Sequence, residues 1–157
     1  MAKKKSTKKS LGILSFIPFV LGIVAILALF LTCITVEGAE GGYSGWQASF
    51  GYSETAAFIS IEILGFSLMN CIGFGLIACG VLFVLLGALG NGGKFTTLIS
   101  TLTFIAGAVF MFLMPDFTVA ITDSIIIIAW KLGIGAIIAG GASALAGLFS
   151  AFKLIKK

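Results

Sequence analysis

The 157-residue chain contains no histidine and no arginine. Histidine is the usual general base near neutral pH and the commonest metal ligand, whereas arginine is the usual bidentate partner of phosphates and carboxylates. Haem, zinc and phosphoryl-transfer sites are therefore not expected. No two of the three cysteines have the CxxC spacing of a redox or metal motif. We expect no catalytic residue, no cofactor and no bound metal.

Charge is also scarce, since only 10% of the residues are charged while 59% are hydrophobic. A soluble domain usually carries about 25% charged residues, so most of this surface is not expected to face water. Four apolar runs are each long enough to cross a bilayer, which takes about 20 helical residues. These predicted spans are Leu11–Val36, Ile63–Leu89, Phe95–Met114 and Ile125–Phe152.

The few charges are sorted by sign along the chain. All six acidic residues lie between the first and second or between the third and fourth apolar runs, and nine of the ten lysines lie at the two ends or in the turn after the second run. Short lysine-rich segments mark the cytoplasmic side of a membrane. We predict a multi-pass protein of the cell membrane with cytoplasmic tails, residues 1–10 and 153–157. Lysines that flank apolar runs are typical of a membrane protein rather than of a nucleic-acid groove. The lysine-rich start, residues 1–10, is interpreted as a solvated tail that sets the topology, with contact to anionic lipid headgroups as the alternative.

The predicted fold is an all-α integral membrane protein. Its single domain, residues 11–152, is a bundle of four transmembrane helices with a small extracellular strand or hairpin in the loop between helices 1 and 2, residues 37–62. From Trp46 to Ser53 the loop alternates in polarity, and a period of two is typical of a half-buried strand. An aromatic belt at the membrane interface is a second, compatible interpretation. The expected interaction residues are Tyr43, Trp46, Phe50 and Tyr52.

Helices 2 and 4 are longer than a bilayer requires. Counting about 20 residues back from their inner ends places the outer boundary near Asn70 and near Gly133. The apolar residues before these positions are expected to lie above the hydrocarbon, covered by the first outer loop, unless the helices tilt strongly. Asn70 is expected to hydrogen-bond across helices.

Glycines recur every seven residues in helix 2 and again in helix 4. A seven-residue repeat keeps one stripe directed at a partner helix, and glycine lets two backbones approach closely where water provides no drive for association. We expect both stripes to pack inside the four-helix bundle, with contact to a second protein as the alternative. The predicted packing residues are Gly73, Gly80, Gly87, Gly133, Gly140 and Gly147.

Lys131 is the one charged residue inside an apolar run. A lysine within the membrane is a functional hypothesis by default, and its candidate partners in an intramembrane ion pair are Glu62 and Asp123. Lys131 also falls near the outer boundary beside Trp130, where its ammonium group can snorkel to water. Snorkelling or a structural ion pair is the favoured interpretation, and a transport role is the alternative.

The overall plan resembles that of the claudin-like four-span membrane proteins. The shared features are cytoplasmic ends, a long first outer loop with strand structure (Glu37–Ser60 here), a short second outer loop (Pro115–Ser124) and helices that protrude outward. The family's first loop carries a Gly-Leu-Trp motif and two cysteines, whereas this loop carries Gly45-Trp46 and no cysteine. The resemblance implies a role in adhesion or assembly.

The leading functional hypothesis is a non-enzymatic scaffold or accessory subunit of a membrane complex. It would contact the lipid bilayer and a membrane-protein partner, or further copies of itself, through the outer loop or the glycine-rich helix faces. A small transporter or channel-forming oligomer is the first alternative, and it requires polar residues along a path. A holin-like lysis protein is the second. The use of lysine without arginine is typical of an AT-rich bacterial genome.

Overall fold

A computed structural model describes residues 3–36, 41–56, 59–89, 93–119 and 129–156 of the chain. Most of this part is helical. Three of its helices are long and apolar enough to cross a membrane, while the apolar part of the first helix, Phe16–Ala28, is shorter. The four long helices are α1 (Lys3–Ala28), α3 (Leu68–Ala88), α4 (Lys94–Phe112) and α6 (Ile134–Lys156).

These four helices alternate in direction. The start of α3 lies beside the end of α4, because a Cβ on Gly73 would meet the side chain of Met111. The start of α6 lies beside the end of α1, because a Cβ on Gly135 would meet the carbonyl oxygen of Ala28. Helices α1 and α4 therefore begin at the end of the bundle where α3 and α6 finish. We call that end the lysine end and the opposite one the strand end.

The bundle is a ring in which α1 and α4 each pack against both α3 and α6. Phe104 of α4 is fully buried at its centre. A Cβ on Gly22 of α1 or on Gly80 of α3 would lie 3.0 or 2.9 Å from atoms of the Phe104 ring. The absence of side chains at these two glycines thus creates the space that the ring fills. Other fully buried side chains of the core are Ala25, Ile77, Met111, Ala136, Ala139 and Ala146.

The described residues at the strand end form a layer of short elements, which we call the strand layer. One antiparallel sheet has the order β2-β1-β5, and a separate antiparallel hairpin pairs β3 with β4. In the first sheet Ile34 is opposite Leu132, so the segment after α1 is joined to the segment before α6. The elements are β1 (Thr32–Val36), β2 (Gly42–Ser44), α2 (Gly45–Phe50), β3 (Tyr52–Ala56), β4 (Ile59–Leu64), α5 (Met114–Phe117) and β5 (Trp130–Leu132).

The predicted strand from Trp46 to Ser53 is wrong over its first part, which is helix α2. A capping box begins this helix: the Ser44 hydroxyl accepts a hydrogen bond from the Gln47 N–H (3.2 Å), and the Gln47 side chain accepts one from the Ser44 N–H (2.9 Å). Such reciprocal capping satisfies N–H groups that a helix start leaves unpaired. Gly51, with φ of 88°, ends the helix, and β3 follows. The buried residues Gly45, Ala48 and Ser49 recur with helical spacing.

The apolar runs extend beyond the helices that they were expected to form. The first run continues past Ala28 as β1, and the start of the second belongs to β4. In the fourth run, residues 125–128 lie outside the described residues and 130–132 form β5. The helices α3 and α6 begin within two residues of Asn70 and Gly133, the positions where length alone placed the outer boundary.

At the lysine end the helices reach into both predicted tails. Helix α1 already begins at Lys3, and α6 continues to Lys156. Pro18 lies inside α1 and is fully buried. Lysine residues near the end of a helix can interact favourably with its last carbonyl groups, which suits the C-terminal turn of α6.

Candidate functional site

The four aromatic residues predicted to interact through the outer loop separate into two groups in the structure. Tyr43 and Tyr52 lie together, with ring centroids 5.7 Å apart, and the edge of Trp130 meets Tyr43 at 6.0 Å. These three rings are half-buried inside the strand layer. Aromatic pairs at such distances stabilise a structure by about 0.5–1.5 kcal/mol each beyond the area they bury, so this group is best explained as packing.

The second group lies on one side of α2, and we call it the aromatic face. The rings of Trp46 and Phe50 are 4.2 Å apart, and Phe30 stacks on Trp46 at 6.1 Å with an interplanar angle of 13°. Phe74 of α3 meets Trp46 edge-on at 6.1 Å. Trp46 and Phe50 are each 45% exposed and Phe30 is 61% exposed. The aromatic face therefore extends from the end of α1 across α2 to α3 and remains open on its outer side.

A third exposed feature is the hairpin of β3 and β4. Glu54 and Glu62 are exposed, as are the small polar residues Ser53, Thr55 and Ser60. Glu62 lies opposite Ser53, and Glu54 lies opposite Ile61. Because neighbouring residues of a strand point to opposite faces, the two carboxylates lie on different faces of the hairpin. Its two strands pair only with each other among the described strands, which leaves sheet edges that another chain could extend.

The side chain of Asn70 makes hydrogen bonds to two other parts of the strand end. The sequence predicted a hydrogen bond across helices at this position. The Asn70 side chain is fully buried, and its Nδ2 donates to the carbonyl of Ala48 (3.0 Å) and to the hydroxyl of Thr118 (3.3 Å). Nearby, the Ser67 hydroxyl donates to the carbonyl of Phe117 (2.6 Å). Helix α2, the start of α3 and the segment after α5 are therefore linked by buried polar contacts, which the carbonyl groups at these element ends require.

Two of the three residues of the predicted intramembrane ion pair, Lys131 and Glu62, lie in strands of the strand layer. Lys131 is an exposed residue of β5, opposite Thr35, and not part of helix α6. Glu62 is exposed on the hairpin, in the other sheet. Asp123 lies outside the described residues. The ion pair itself stays a prediction, but the position of Lys131 in the strand layer fits a lysine near a membrane boundary better than one in its interior.

Five of the six predicted packing glycines lie where a side chain would touch another element. A Cβ on Gly73, Gly80, Gly140 or Gly147 would come within 2.9 Å of a side chain of α4, and one on Gly133 would come within 2.5 Å of the backbone of β1. The sixth, Gly87, has only ordinary contacts at 3.9 Å, to Thr96 and to the ammonium nitrogen of Lys153. Whether these contacts hold the bundle together stays a prediction, which substitution of the glycines tests.

Sequence reasoning missed a small cavity at the lysine end, which polar and apolar side chains line together. The 7% exposed side chain of Lys153, expected in a solvated tail, lines it together with Ser150, Ser100 and Thr97. The cavity measures about 10 Å³, enough for about one water molecule. The spacing of Ala142, Ala146, Ser150 and Lys153, which places all four on one helix face, was the signal that could have revealed it.

The serine and lysine of this cavity do not form a nucleophilic pair. The Ser150 hydroxyl is 2% exposed and has no hydrogen-bond partner, so it is not bonded to the Lys153 ammonium group. A serine nucleophile needs its base within hydrogen-bond reach. The cavity is thus a small void between helices, and Ser150 lacks the hydrogen bond to a base that a nucleophilic pair needs.

Two buried serines of α6 form a matched pair for measuring what a buried hydroxyl contributes to stability with and without a hydrogen-bond partner. The Ser143 hydroxyl donates to the carbonyl of Phe104 (2.8 Å), whereas that of Ser150 has no partner. Ser143→Ala should lower the unfolding free energy in detergent by about 0.6 kcal/mol, the average for hydrogen bonds between membrane helices. Ser150→Ala should leave it unchanged or raise it, because an unpaired buried hydroxyl is unfavourable by about 1–3 kcal/mol. Equal losses of unfolding free energy in the two variants would show that the Ser150 hydroxyl has a hydrogen-bond partner.

The described residues offer no metal site and no reactive thiol in the strand layer. No three histidine, cysteine, aspartate or glutamate residues of the described part could hold a metal ion together. Burial raises the pKa of the Cys33 thiol to about 11, although a backbone hydrogen bond with Gly45 acts in the opposite direction. A thiol with so high a pKa is almost entirely protonated near neutral pH and reacts slowly. Cys33 therefore acts as a small buried residue.

No protein-family model, no curated protein and no solved structure matches the chain. A functional proposal therefore rests on the geometry and chemistry of the exposed surfaces of the chain. The aromatic face and the acidic hairpin are two exposed features of the strand layer with a distinct chemistry, and the lysine-end cavity is too small for a substrate.

Proposed function

We propose that this chain is a four-span integral membrane protein that acts as a scaffold or accessory subunit of a membrane complex and carries out no reaction itself. The lysine end would face the cytoplasm and the strand layer would face outward. Three long apolar helices and the alternating helix directions support the membrane placement. The charges support the orientation, because Glu54, Glu62 and Asp116 belong to the strand layer while Lys94 and Lys153 belong to the opposite end.

The observation that carries the proposal is the strand layer itself. Pairing of β1 with β5 ties the first and the second loop into one sheet, and the N–H of Gly133 donates to the carbonyl of Cys33 at 2.7 Å. Hydrogen bonds from the buried residues Asn70 and Ser67 join the start of α3 to α2, to the end of α5 and to Thr118 after it. A surface fixed in this way is pre-organised, which reduces the entropy lost when a partner binds.

The filled interior argues against transport through a single copy. Phe104, Ile77 and Met111 are fully buried in the middle of the bundle, and Phe104 faces glycines of two neighbouring helices. An ion or polar solute would need polar groups at this level to replace its hydration. A channel would then have to form between several copies of the chain. The experiment described below therefore includes a channel-forming oligomer among its outcomes.

The hairpin of β3 and β4 is the element best suited to contact a partner protein. Its exposed carboxylates, Glu54 on one face and Glu62 on the other, would each attract a basic group of a partner that wraps around the hairpin or adds to its edge. Its strand edges offer backbone groups to an added strand, a mode in which main-chain hydrogen bonds provide affinity. We therefore assign recognition of a partner to the hairpin and not to the glycine faces, most of which contact the chain's own helices.

The test is purification from the native membrane in mild detergent after chemical crosslinking. A stoichiometric partner should accompany the unmodified chain and should be lost from the double variant E54K/E62K. Asp116→Lys is the matched control, because it reverses an exposed acidic charge of the strand layer outside the hairpin. A homogeneous homo-oligomer without a partner, together with ion flux in liposomes, would instead establish the channel-forming alternative.

Topology is tested by labelling single cysteines in a variant without Cys33, Cys71 and Cys79. Thr55→Cys should react with a membrane-impermeant maleimide on intact cells, and Lys94→Cys should react only after permeabilisation. A tag on the N-terminus should likewise be detected only after permeabilisation, which decides whether α1 spans. Labelling of position 94 on intact cells, or exposure of the tag outside, would contradict the four-span arrangement.

A further inference from the structure

We propose that the aromatic face binds the lipid surface, with α2 lying in the headgroup region of the outer leaflet as an anchor that sets the depth of the bundle. This inference rests on the membrane placement proposed above. Within α2, Ala48 and Ser49 face inward while Trp46 and Phe50 face outward. The helix thus turns its aromatic side chains away from the protein, as a helix that rests on a membrane surface does with its apolar side.

The position of the aromatic face is the first argument for lipid. Phe30 is the second residue after α1, and its N–H donates to the carbonyl of Leu27. Leu27 itself is 60% exposed on α1. Phe74, which meets Trp46, belongs to the second turn of α3. The aromatic face is therefore continuous with the outer surfaces of the helices that would cross the bilayer. The lipid that covers the outer surfaces of these helices should therefore also contact Trp46.

The chemistry of the aromatic face is the second argument. Helix α2 carries no charged residue, and its sequence is Gly-Trp-Gln-Ala-Ser-Phe. Tryptophan collects at membrane interfaces because its ring is apolar while its indole N–H can bond to the headgroup region. The hairpin, in contrast, presents acidic side chains. The strand layer thus divides into an uncharged side at the level of the helix ends and a charged side suited to water and protein.

The chain contains only two tryptophans, and the structure places them in contrasting surroundings. Trp46 lies on the open aromatic face. Trp130 is half-buried in β5, with its edge against Tyr43. Each tryptophan is therefore a control for the other, and Trp130→Phe and Trp46→Phe each leave a single tryptophan, whose emission can be excited selectively at the long-wavelength edge of its absorption.

The experiment is fluorescence quenching in phosphatidylcholine vesicles that carry bromine atoms at one depth. Bromines on the upper part of the acyl chains should quench Trp46 strongly, and bromines near the chain ends should quench it less, since a surface helix sits only about 5–10 Å into the headgroup boundary. Trp130 should be quenched several-fold less than Trp46 by the upper bromines. Equal quenching of the two tryptophans, or deeper quenching of Trp46, would overturn the inference.

Flotation of the vesicles separates this inference from the proposed function. If neither variant floats with the vesicles, the membrane placement itself fails. If both float while Trp46 escapes quenching, only the lipid contact of the aromatic face fails. A third arm uses Trp46→Ser in the native membrane: the folded variant should keep the partner that requires the hairpin, and loss of that partner would show that the aromatic face binds protein.

Discussion

Replacing Gly133 by alanine is expected to break the junction between the strand layer and the helix bundle. A Cβ at this position would lie 2.5 Å from the carbonyl oxygen of Thr32 and 2.8 Å from the carbonyl carbon of Cys33. Both are backbone atoms of β1, so no side chain can rotate away to make room. Overpacking in a well-packed region lowers stability by about 1–3 kcal/mol and occasionally by more. The hydrogen bond from the Gly133 N–H to the Cys33 carbonyl should also weaken, because β1 and the segment that leads into α6 must move apart to accommodate the added methyl group.

Thermal unfolding in detergent measures the loss, and hydrogen exchange locates it. Amides of β1 and β5 should exchange faster in Gly133→Ala, while those in the middle of α4 should change little. Gly141→Ala is the control, because Gly141 lies in α6, the helix that begins directly after Gly133, with nothing within 4 Å of its added Cβ. Alanine is favoured over glycine inside a helix by about 1 kcal/mol, so this control should be neutral or more stable. Equal behaviour of the two variants would show that the close approach of α6 to β1 has no energetic role.

The second large effect is expected for Gly80→Leu in the centre of the bundle. A Cβ on Gly80 would lie 2.9 Å from the ring of Phe104, which is fully buried. The Phe104 ring also packs against α1, because a Cβ on Gly22 would lie 3.0 Å from it. Since the ring is enclosed by α1 and α3, we expect a leucine at position 80 to push α3 and α4 apart. We expect a loss of about 1–3 kcal/mol or more, seen as a lower unfolding temperature in detergent.

Gly75→Leu is the control for this variant, because Gly75 belongs to the same helix and has no atom within 4 Å of its added Cβ. It should leave stability nearly unchanged. A double-mutant cycle then identifies the contact: Phe104→Ala alone should cost about 3–5 kcal/mol by leaving a cavity. In the double variant with Gly80→Leu, the leucine should partly fill that cavity, giving a favourable coupling energy. Strict additivity would mean that Gly80 and Phe104 do not interact.

Much of the helical architecture could be read from hydropathy, but the ends of the helices could not. Apolar residues continue beyond α1 through Val36, and a short apolar run looks alike in a buried strand and in a helix. The available signal was local, because Thr32, Ile34, Thr35 and Val36 are β-branched and such residues favour strands. Hydropathy favoured longer helices that protrude beyond the bilayer. The bilayer length placed only the membrane boundary near Asn70 and Gly133, and the structure begins α3 and α6 close to these positions.

The loop after α1 shows the opposite error. Alternation from Trp46 to Ser53 predicted a strand, yet the capping residues Ser44 and Gln47 and the small residues Ala48 and Ser49 make the first part helical. The same two aromatic residues, Trp46 and Phe50, fit either a period of two or a spacing of four. A capping box three residues apart distinguishes the two cases and was present in the sequence. The lysine-end cavity was not predicted, because Lys153 was assigned to a cytoplasmic tail from its charge alone. Its position on the same helix face as Ala142, Ala146 and Ser150 was not considered.

The pairing of β1 with β5 also sets the order in which the protein can be assembled during synthesis. Ile34 leaves the ribosome roughly a hundred residues before its partner Leu132, an interval on the order of 5–20 s at ~5–20 residues per second. During that time β1 can pair with β2 but presents its other edge unpaired, and such an edge is a template for aggregation. The last helix must be inserted before the sheet can close. A chain truncated ahead of β5 should therefore be a strong client for chaperones and membrane proteases, even though three of its four long helices are already made.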